Sequence, residues 1–233
     1  MQVLRKNGQT TRPDISKATT WSRAKTSHEV NALINKGFLV ESGVGLSKGG
    51  RKPRLLSLNK ELGYIVGVDI GATSMDVALT DITGQIIARK EEPTDVRLPV
   101  EEVLGRCAGM IQELAAEHSI PDEAFLGLGI GVPGPVDFVR GVLVAPPLMP
   151  DWENYPIRQF FKTTFANAYV VVDNDVNIMA LGEMHIGEVQ NIDHFLLIKI
   201  GTGIGCGIMA SRKIHRGNDG SAGDVGHICI DKN

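Results

Sequence analysis

Two glycine-rich turns in this sequence have the residue types that hold phosphate groups. The first is Asp69-Ile70-Gly71-Ala72-Thr73, which follows an apolar segment. Small residues let backbone N–H groups approach phosphate oxygens. The Asp69 carboxylate can hold Mg²⁺ through water, and the Thr73 hydroxyl can reach a phosphate. Taken alone, this pattern is as typical of an ordinary hairpin turn as of a phosphate-binding turn.

The second glycine-rich turn starts at Gly201-Thr202-Gly203 and continues to Gly207. It follows an apolar segment at 195–200, so it predicts a second hairpin with the same capacity for phosphate.

A third group of polar residues lies where a predicted strand meets a predicted helix. Asp173, Asn174 and Asp175 follow the apolar run 169–172. The ends of strands beside helix N-termini are the usual ligand positions of open α/β sheets. A rigid turn containing Gly134 ends an earlier strand, and a segment of small residues surrounds one carboxylate, Asp224, and one imidazole.

These residues need a sheet and helices to bring them together. Apolar or alternating segments predict strands at 64–69, 74–80, 85–90, 125–130, 169–172 and 195–200. An apolar stripe predicts a helix at 103–118, and another helix begins near Asp175. This order predicts an α/β domain over residues 61–233, with a boundary where the composition changes at 59–63.

The first 60 residues differ strongly in charge from the rest of the chain. They contain 12 Lys or Arg and 3 Asp or Glu, a net charge of +9, whereas residues 61–233 carry a net charge of −12. A basic segment on an acidic body indicates a polyanionic partner. The alternative is a solvated basic face without a partner.

The pattern in this basic segment predicts a winged helix-turn-helix over residues 1–60. A helix at 12–18 precedes a second helix from about 22 to 36, and strands at 38–41 and 54–58 enclose a basic, glycine-containing wing at 47–53. The alternative is a helical module that binds another protein. The residues predicted to contact DNA are Ser22, Arg23, Thr26, Ser27, His28, Arg51, Lys52 and Arg54.

Composition narrows the class of protein further. No stretch approaches the roughly 20 apolar residues of a membrane span, and no leader pattern begins the chain, so a cytoplasmic protein is expected. Cys107, Cys206 and Cys229 form no C-x-x-C pair, which predicts reduced, buried thiols.

Four ordered motifs, VDIGAT, GVPGPVD, DNDVN-x-x-ALGE and GTGIGCGI, are followed by AGDVGHI. In this order and spacing they resemble the ROK family of repressors and sugar kinases, specifically its members with an N-terminal winged helix. The resemblance runs from about residue 10 to the end. It implies a winged helix-turn-helix followed by an actin-like ATPase (ribonuclease H-like) sugar-kinase-type domain, here incomplete at the C-terminus.

The resemblance also implies roles for individual positions. Asp175 matches the catalytic base of the family's kinases, and His227 matches both a sugar contact and a structural zinc ligand. The positions implied for phosphate or ATP are Asp69, Gly71, Thr73, Gly201, Thr202 and Gly203. The positions implied for sugar are Gly134, Asn174, Asp175, Asp224 and His227.

Three departures from the family pattern bear on these roles. Ala72 stands where the kinases usually have a second Gly, and Asp224 stands where they usually have Glu. The remaining zinc ligands and a further sugar-binding Glu would lie beyond Asn233, so the chain is expected to be a fragment or a truncated product. With His227 alone, a tetrahedral zinc site is not expected here.

Two functions follow from the resemblance. The first is a sugar-responsive regulator, a repressor of carbohydrate-utilisation genes, that binds double-stranded operator DNA as a homodimer or homotetramer with a sugar or sugar phosphate in the cleft. The second is an ATP-dependent sugar kinase, glucokinase-like, with a DNA-binding appendage. Structural zinc is expected only in a complete protein, and Mg-ATP only with kinase activity. The complete winged-helix pattern favours the regulator, with no enzymatic activity.

Overall fold

The structure, a computed structural model, describes residue 4 and residues 8–45, 52–146 and 149–228. Its contacts divide the chain into two compact units. We call Met1–Tyr64 with Thr80–Gln85 the basic unit, and Ile65–Leu79 with Ile86–Asn233 the α/β unit. This division does not test the functional domains predicted at 1–60 and 61–233, which stay predictions.

In residues 8–45 and 52–64, the structure describes two helices and a three-stranded antiparallel sheet of the basic unit. The sheet has the order β1-β3-β2. Its elements are β1 (Gln9–Thr11), α1 (Arg12–Thr19), α2 (Arg23–Asn35), β2 (Leu39–Val44) and β3 (Arg54–Leu58). The structure confirms both predicted helices and both predicted strands, whereas the short strand β1 was not predicted. Of the wing predicted at 47–53, residues 47–51 lie outside the described residues.

Short polar residues begin both helices of the basic unit. The Thr11 hydroxyl accepts the Asp14 backbone N–H at 3.3 Å, and the Ser22 hydroxyl accepts the Lys25 backbone N–H at 3.2 Å. Each bond satisfies one N–H group that a helix start leaves unpaired. Between the helices, Thr20 adopts a left-handed conformation with φ of 58° and turns the chain.

The core of the basic unit includes a residue that is distant in sequence. Ile82, from the segment Thr80–Gln85, packs with the apolar side chains of the helices and the sheet. In the same segment, Asp81 forms an ion pair with Lys60 at 3.4 Å. The other members of this core are Leu4, Ile15, Val30, Leu33, Ile34, Leu39, Leu56 and Leu58.

The α/β unit is built on a five-stranded sheet of order β10-β7-β4-β5-β6. Strands β7 and β10 run parallel, which places Gly131 opposite Asp173 and Val132 opposite Asn174. Two predicted ligand-bearing strand ends therefore lie side by side. The strands are β4 (Tyr64–Ile70), β5 (Ser74–Asp81), β6 (Ile86–Pro93), β7 (Phe125–Val132) and β10 (Tyr169–Asn174).

The α-helices of this unit that lie in residues 65–146 and 149–228 are α3 (Val100–Glu117), α4 (Ile157–Thr164) and α5 (Asp175–Ile186). The predicted helices α3 and α5 are confirmed, and α4 was not predicted. Helix α3 buries a continuous apolar face that includes Cys107, as predicted for this thiol. In the described part of the chain, no helix is long and apolar enough to cross a membrane.

A second, antiparallel sheet has the order β11-β12-β13 and carries the second glycine-rich turn. Ala180 and Met184 of α5 pack against Met209 of this sheet. Its strands are β11 (Phe195–Ile200), β12 (Ile204–Ala210) and β13 (Lys213–Ile214), and a small hairpin pairs β8 (Val136–Asp137) with β9 (Val142–Leu143). The mixed α/β class predicted for this region is confirmed.

Candidate functional site

A cavity of about 280 Å³ in the α/β unit collects most of the predicted ligand positions. Strand ends, the start of α5 and the β11–β12 turn all contribute to its walls. Predicted residues in the lining are Gly134, Asn174, Asp175, Thr202, Gly203, Asp224 and His227. Five of these are the whole set implied for sugar, so the fold brings that set together.

Asp175 is the first residue of α5 and is held from two directions. Its Oδ1 accepts the backbone N–H of Val176 at 2.9 Å, and its Oδ2 accepts a hydrogen bond from the Lys199 ammonium at 2.6 Å. Burial alone would lower the pKa of Lys199, but the hydrogen bond and charge of Asp175 outweigh it and raise that pKa. Lys199 therefore stays a cation beside a carboxylate in the cavity wall.

Asn174 has a structural role as the N-cap of α5. Its Oδ1 accepts the backbone N–H groups of Val176 at 3.0 Å and Asn177 at 3.2 Å. Its Nδ2 donates to the carbonyl oxygen of Gly134 at 3.0 Å. These bonds tie the predicted turn to the helix start, and they leave one amide hydrogen of Asn174 for a ligand.

Asp173, buried behind Asn174, is the centre of a second network. Its carboxylate accepts three hydrogen bonds from Arg216, the shortest of them 2.6 Å. It also accepts one from Asn177 Nδ2 at 3.1 Å and one from the backbone N–H of Asn174 at 2.9 Å. The Arg216 guanidinium also lies 4.0 Å from the ring centroid of Phe138. This network fixes the strand end that carries Asn174 and Asp175, and neither Arg216 nor Lys199 was predicted.

Gly131 sits between Asp69 and Asp175. A Cβ at Gly131 would lie 3.4 Å from the Asp175 Cα and 3.5 Å from the Asp69 Oδ1. Loss of hydration raises the pKa of Asp69; the Lys199 charge opposes that rise, and the Asp175 charge adds to it. The charges of Lys199 and Asp175 thus act in opposite directions on the pKa of Asp69.

The first glycine-rich turn is braced by the backbone that follows β6. The Thr94 N–H donates to the Thr73 carbonyl at 3.0 Å, and the Val96 N–H donates to the Ala72 carbonyl at 3.4 Å. Ala72 lines the cavity. Among the described residues, Asp69, Gly71, Thr73 and Gly201 lie outside the lining, so the predicted phosphate set is only partly gathered at this cavity.

The segment with Asp224 and His227 packs closely on β12. Cys206 N–H donates to the Gly223 carbonyl at 2.9 Å. A Cβ at Gly223 would overlap the Cys206 carbonyl oxygen, so only glycine fits there. His227 Nε2 lies 3.5 Å from Asp224 Oδ1. In the described ranges, no group of three or more His, Cys, Asp or Glu could hold a metal ion.

The predicted DNA contacts lie in the basic unit, and one of them is misplaced. Arg23 and His28 are exposed on α2, Ser27 is half-buried, and Ser22 caps the helix. Thr26 is 1% exposed and is a core residue. Its spacing of four from the buried Val30 on the same helix face was the signal that prediction overlooked.

The remaining predicted contacts are near the wing. Lys52 and Arg54 are exposed, and Arg54 pairs with Glu41 at 3.4 Å. Arg51 lies outside the described residues. Lys25, beside the predicted set, lies 4.8 Å from the centroid of the Trp21 ring.

This α/β architecture is shared with ROK regulators and sugar kinases, which have the actin-like ATPase fold. A solved ROK family transcriptional regulator, a homologue of the E. coli MLC protein, superimposes with a TM-score of 0.78 at 24% identity, covering 96% of this chain and 56% of that one. A ROK family glucokinase from Streptomyces griseus, solved with glucose and AMPPNP, gives a TM-score of 0.63 at 30% identity, covering 72% of this chain and 51% of that one.

The chain belongs to the ROK family, whose model matches residues 65–233. It is 36% identical to the xylose repressor of Caldicellulosiruptor bescii over 220 residues, which are 94% of this chain and 54% of that protein. The chain thus spans about half the length of the curated relatives it matches.

Proposed function

We propose that this chain acts in a sugar-responsive transcriptional repressor. In this proposal the basic unit is a winged helix-turn-helix that binds double-stranded operator DNA, and the cavity of the α/β unit binds a sugar or sugar-phosphate effector. The protein works as a homodimer or homotetramer on paired half-sites, and it is not an enzyme.

The extent of the similarities carries the proposal. Similarity to the xylose repressor covers 94% of the chain and therefore includes residues of the basic unit. The glucokinase similarity covers 72%. A kinase needs only the region that is similar to both the glucokinase and the xylose repressor, whereas a repressor also needs the basic unit.

The charge of the basic unit supports a nucleic-acid partner. Arg23, Lys25 and His28 are exposed near the start of α2, the position from which a recognition helix reaches base edges and phosphates. The net charge of +9 over residues 1–60 supplies attraction to the phosphate backbone.

The cavity supports a polyhydroxylated effector. Asp175 and Asp224 offer acceptors for sugar hydroxyls, and Lys199 and His227 offer donors. An effector shifts DNA affinity only by binding one state of the repressor more tightly than another. The expected coupling therefore appears as a change in DNA affinity at saturating sugar.

DNA binding is tested by fluorescence anisotropy with a random-sequence duplex across a salt series. Affinity should fall with rising salt, because phosphate contacts release counterions. Replacing Arg23 and Lys25 together by Ala should reduce the slope of log K against log salt by about 2, about 1 for each lost phosphate contact. Lys162→Ala, an exposed change on α4, is the matched control. Salt-independent binding, or none, would reject the DNA-binding function.

A second candidate function is an ATP-dependent sugar kinase, favoured because Asp175, Thr202 and Gly203 line one cavity. A carboxylate in hydrogen-bond reach of a sugar hydroxyl can accept its proton during phosphoryl transfer. Bound Mg-ATP would supply the phosphoryl group, with Asp69, Thr73 and the two glycine-rich turns as its holders. Incubation with Mg-ATP and a hexose panel distinguishes the two. Sugar phosphate formation that is lost in Asp175→Asn would favour the kinase.

A further inference from the structure

We infer that Lys199 is a direct sugar ligand of the cavity. Its ammonium and the Asp175 carboxylate together bind one hydroxyl, or two adjacent hydroxyls, of a neutral sugar. This inference rests on the proposed sugar-binding function and deepens it, because it names a ligand residue outside the predicted set and selects neutral sugars over sugar phosphates.

The alternation of β11 aims Lys199 at the cavity. Leu196, Ile198 and Ile200 are exposed on one face of the strand. Phe195 and Leu197 face the other way and pack against the core of α5 and β12. Lys199 follows them on this inner face and reaches the lining of the cavity, where the apolar packing ends.

Counting only bonds among the described residues, the pair of Lys199 and Asp175 has unused hydrogen-bonding capacity. A lysine ammonium carries three donors, of which the bond to Asp175 uses one, and the Lys199 side chain is 34% exposed. An ionised carboxylate has about four acceptor positions, and Val176 and Lys199 occupy two of those on Asp175. In contrast, Asn174 spends most of its capacity on the protein.

The distance between the two groups selects the ligand pattern. Nζ and Oδ2 are 2.6 Å apart, so a hydroxyl that donates to Asp175 places its own oxygen, or that of its neighbour, within reach of the ammonium. Two hydroxyls that are far apart on a sugar ring cannot both bind the Lys199 ammonium and the Asp175 carboxylate, because these two groups are in direct contact.

The charges around the pair disfavour an anionic ligand. Asp175 already compensates the Lys199 charge, and Asp224 lines the same cavity. Asp69 adds a further negative charge that acts on Lys199. A phosphate group placed against Lys199 would face these carboxylates, whereas a neutral polyol would not.

The test is calorimetric titration of the full chain with xylose, glucose and a complete set of their monodeoxy derivatives. In the wild type, loss of the recognised hydroxyl should weaken binding by about 10- to 100-fold, the effect of one hydrogen bond to a charged group. In Lys199→Met, the deoxy sugar that lacks the recognised hydroxyl should bind almost as tightly as the parent sugar, and this should hold at one ring position. In Asp175→Asn, the penalty for a missing hydroxyl should shrink at the same or the adjacent position.

Lys213→Met, an exposed change on β13 of the same sheet, is the control and should retain every penalty. Since Lys199→Met leaves Asp175 without its cation, the double variant Lys199→Met/Asp175→Asn checks folding by thermal melting and should lose both penalties. Lys199→Arg should keep part of the discrimination.

Three results would overturn the inference. Full penalties at every position in Lys199→Met would mean that Lys199 only positions Asp175. If Lys199→Met and Asp175→Asn abolish the loss of affinity at non-adjacent ring positions, the two residues do not bind one hydroxyl or two adjacent hydroxyls. Tighter binding of glucose 6-phosphate than of glucose, lost in Lys199→Met, would make this an anion site. If the wild type binds none of these sugars, the proposed function of the cavity fails first and the inference fails with it.

Discussion

The cavity of the α/β unit and the exposed face of the basic unit organise their polar side chains differently. Asp173 and Asp175 are 2% and 7% exposed, and a cation holds each of them at 2.6 Å. On the basic unit, Arg23, Lys25 and His28 are exposed. The protein therefore fixes the orientation of these carboxylates before a ligand binds. The cationic side chains of the basic unit, in contrast, are exposed to solvent and flexible.

This difference suits the two proposed partners. A small sugar gains little binding energy, so groups that are already oriented avoid the cost of ordering them on binding. A DNA duplex presents a regular row of phosphates, which long cationic side chains reach from many conformations. Changes in the cavity should accordingly alter stability, and changes on the basic face should alter mainly salt-dependent binding.

The largest expected effect is the loss of the cation on Asp173. Arg216→Met leaves a buried carboxylate unpaired, which typically costs about 3–5 kcal/mol. We expect the free energy of unfolding to fall by that order in urea titrations. The control, Arg212→Met, breaks an exposed 3.5 Å pair with Asp193 and should cost less than about 1 kcal/mol. Equal losses of unfolding free energy in Arg216→Met and Arg212→Met would contradict the view that the Asp173 network stabilises the protein more than an exposed ion pair does.

A smaller loss is expected at Gly223. In Gly223→Ala, the new methyl group meets the Cys206 carbonyl and the segment must shift, at a typical cost of about 1–3 kcal/mol. Since Asp224 is the next residue, sugar binding by calorimetry should weaken too. Gly105→Ala, with open space around its Cβ on α3, is the matched control. Unchanged sugar affinity in Gly223→Ala would show that this segment does not shape the site.

The smallest expected effect is a gain of stability in the basic unit. Among the described residues, Thr26 Oγ1 is buried without a hydrogen-bond partner. Thr26→Val removes this cost and should raise the free energy of unfolding by about 1 kcal/mol. Thr26→Ser, which keeps the hydroxyl and loses the methyl group, should destabilise. DNA affinity across the salt series should stay unchanged in Thr26→Val, and a drop would return Thr26 to the DNA-contacting set.

Much of the candidate site could be predicted because its residues occur in continuous motifs at strand ends. The pattern at Asp173–Asp175 indicated a strand meeting a helix, and the fold places that junction in the cavity wall. The turn with Gly134 was found by the same reasoning. Such predictions need only local periodicity and the rule that ligands lie at strand ends.

Neither the cation that lines the cavity nor the cation that holds Asp173 could be found in this way. Lys199 is 24 residues from Asp175, and Arg216 is 43 residues from Asp173. A single Lys or Arg carries no motif, and pairing across such separations depends on how β11 and the end of β13 pack. The only signal for Lys199 in the sequence was the alternation of β11, which places this residue on the inward face of the strand. Helix α4 was missed because its eight residues mix apolar with polar types over little more than two turns.

The segment Thr80–Gln85 limits how this protein can be divided. The basic unit's core takes Ile82 from a turn more than 15 residues beyond Tyr64, and Asp81 in that turn pairs with Lys60. A fragment ending near residue 64 would lack both. Chimaeras that exchange the first 64 residues between relatives should therefore fold more stably when the donor's turn is carried along, because the core of the basic unit is encoded by two separate stretches of the gene.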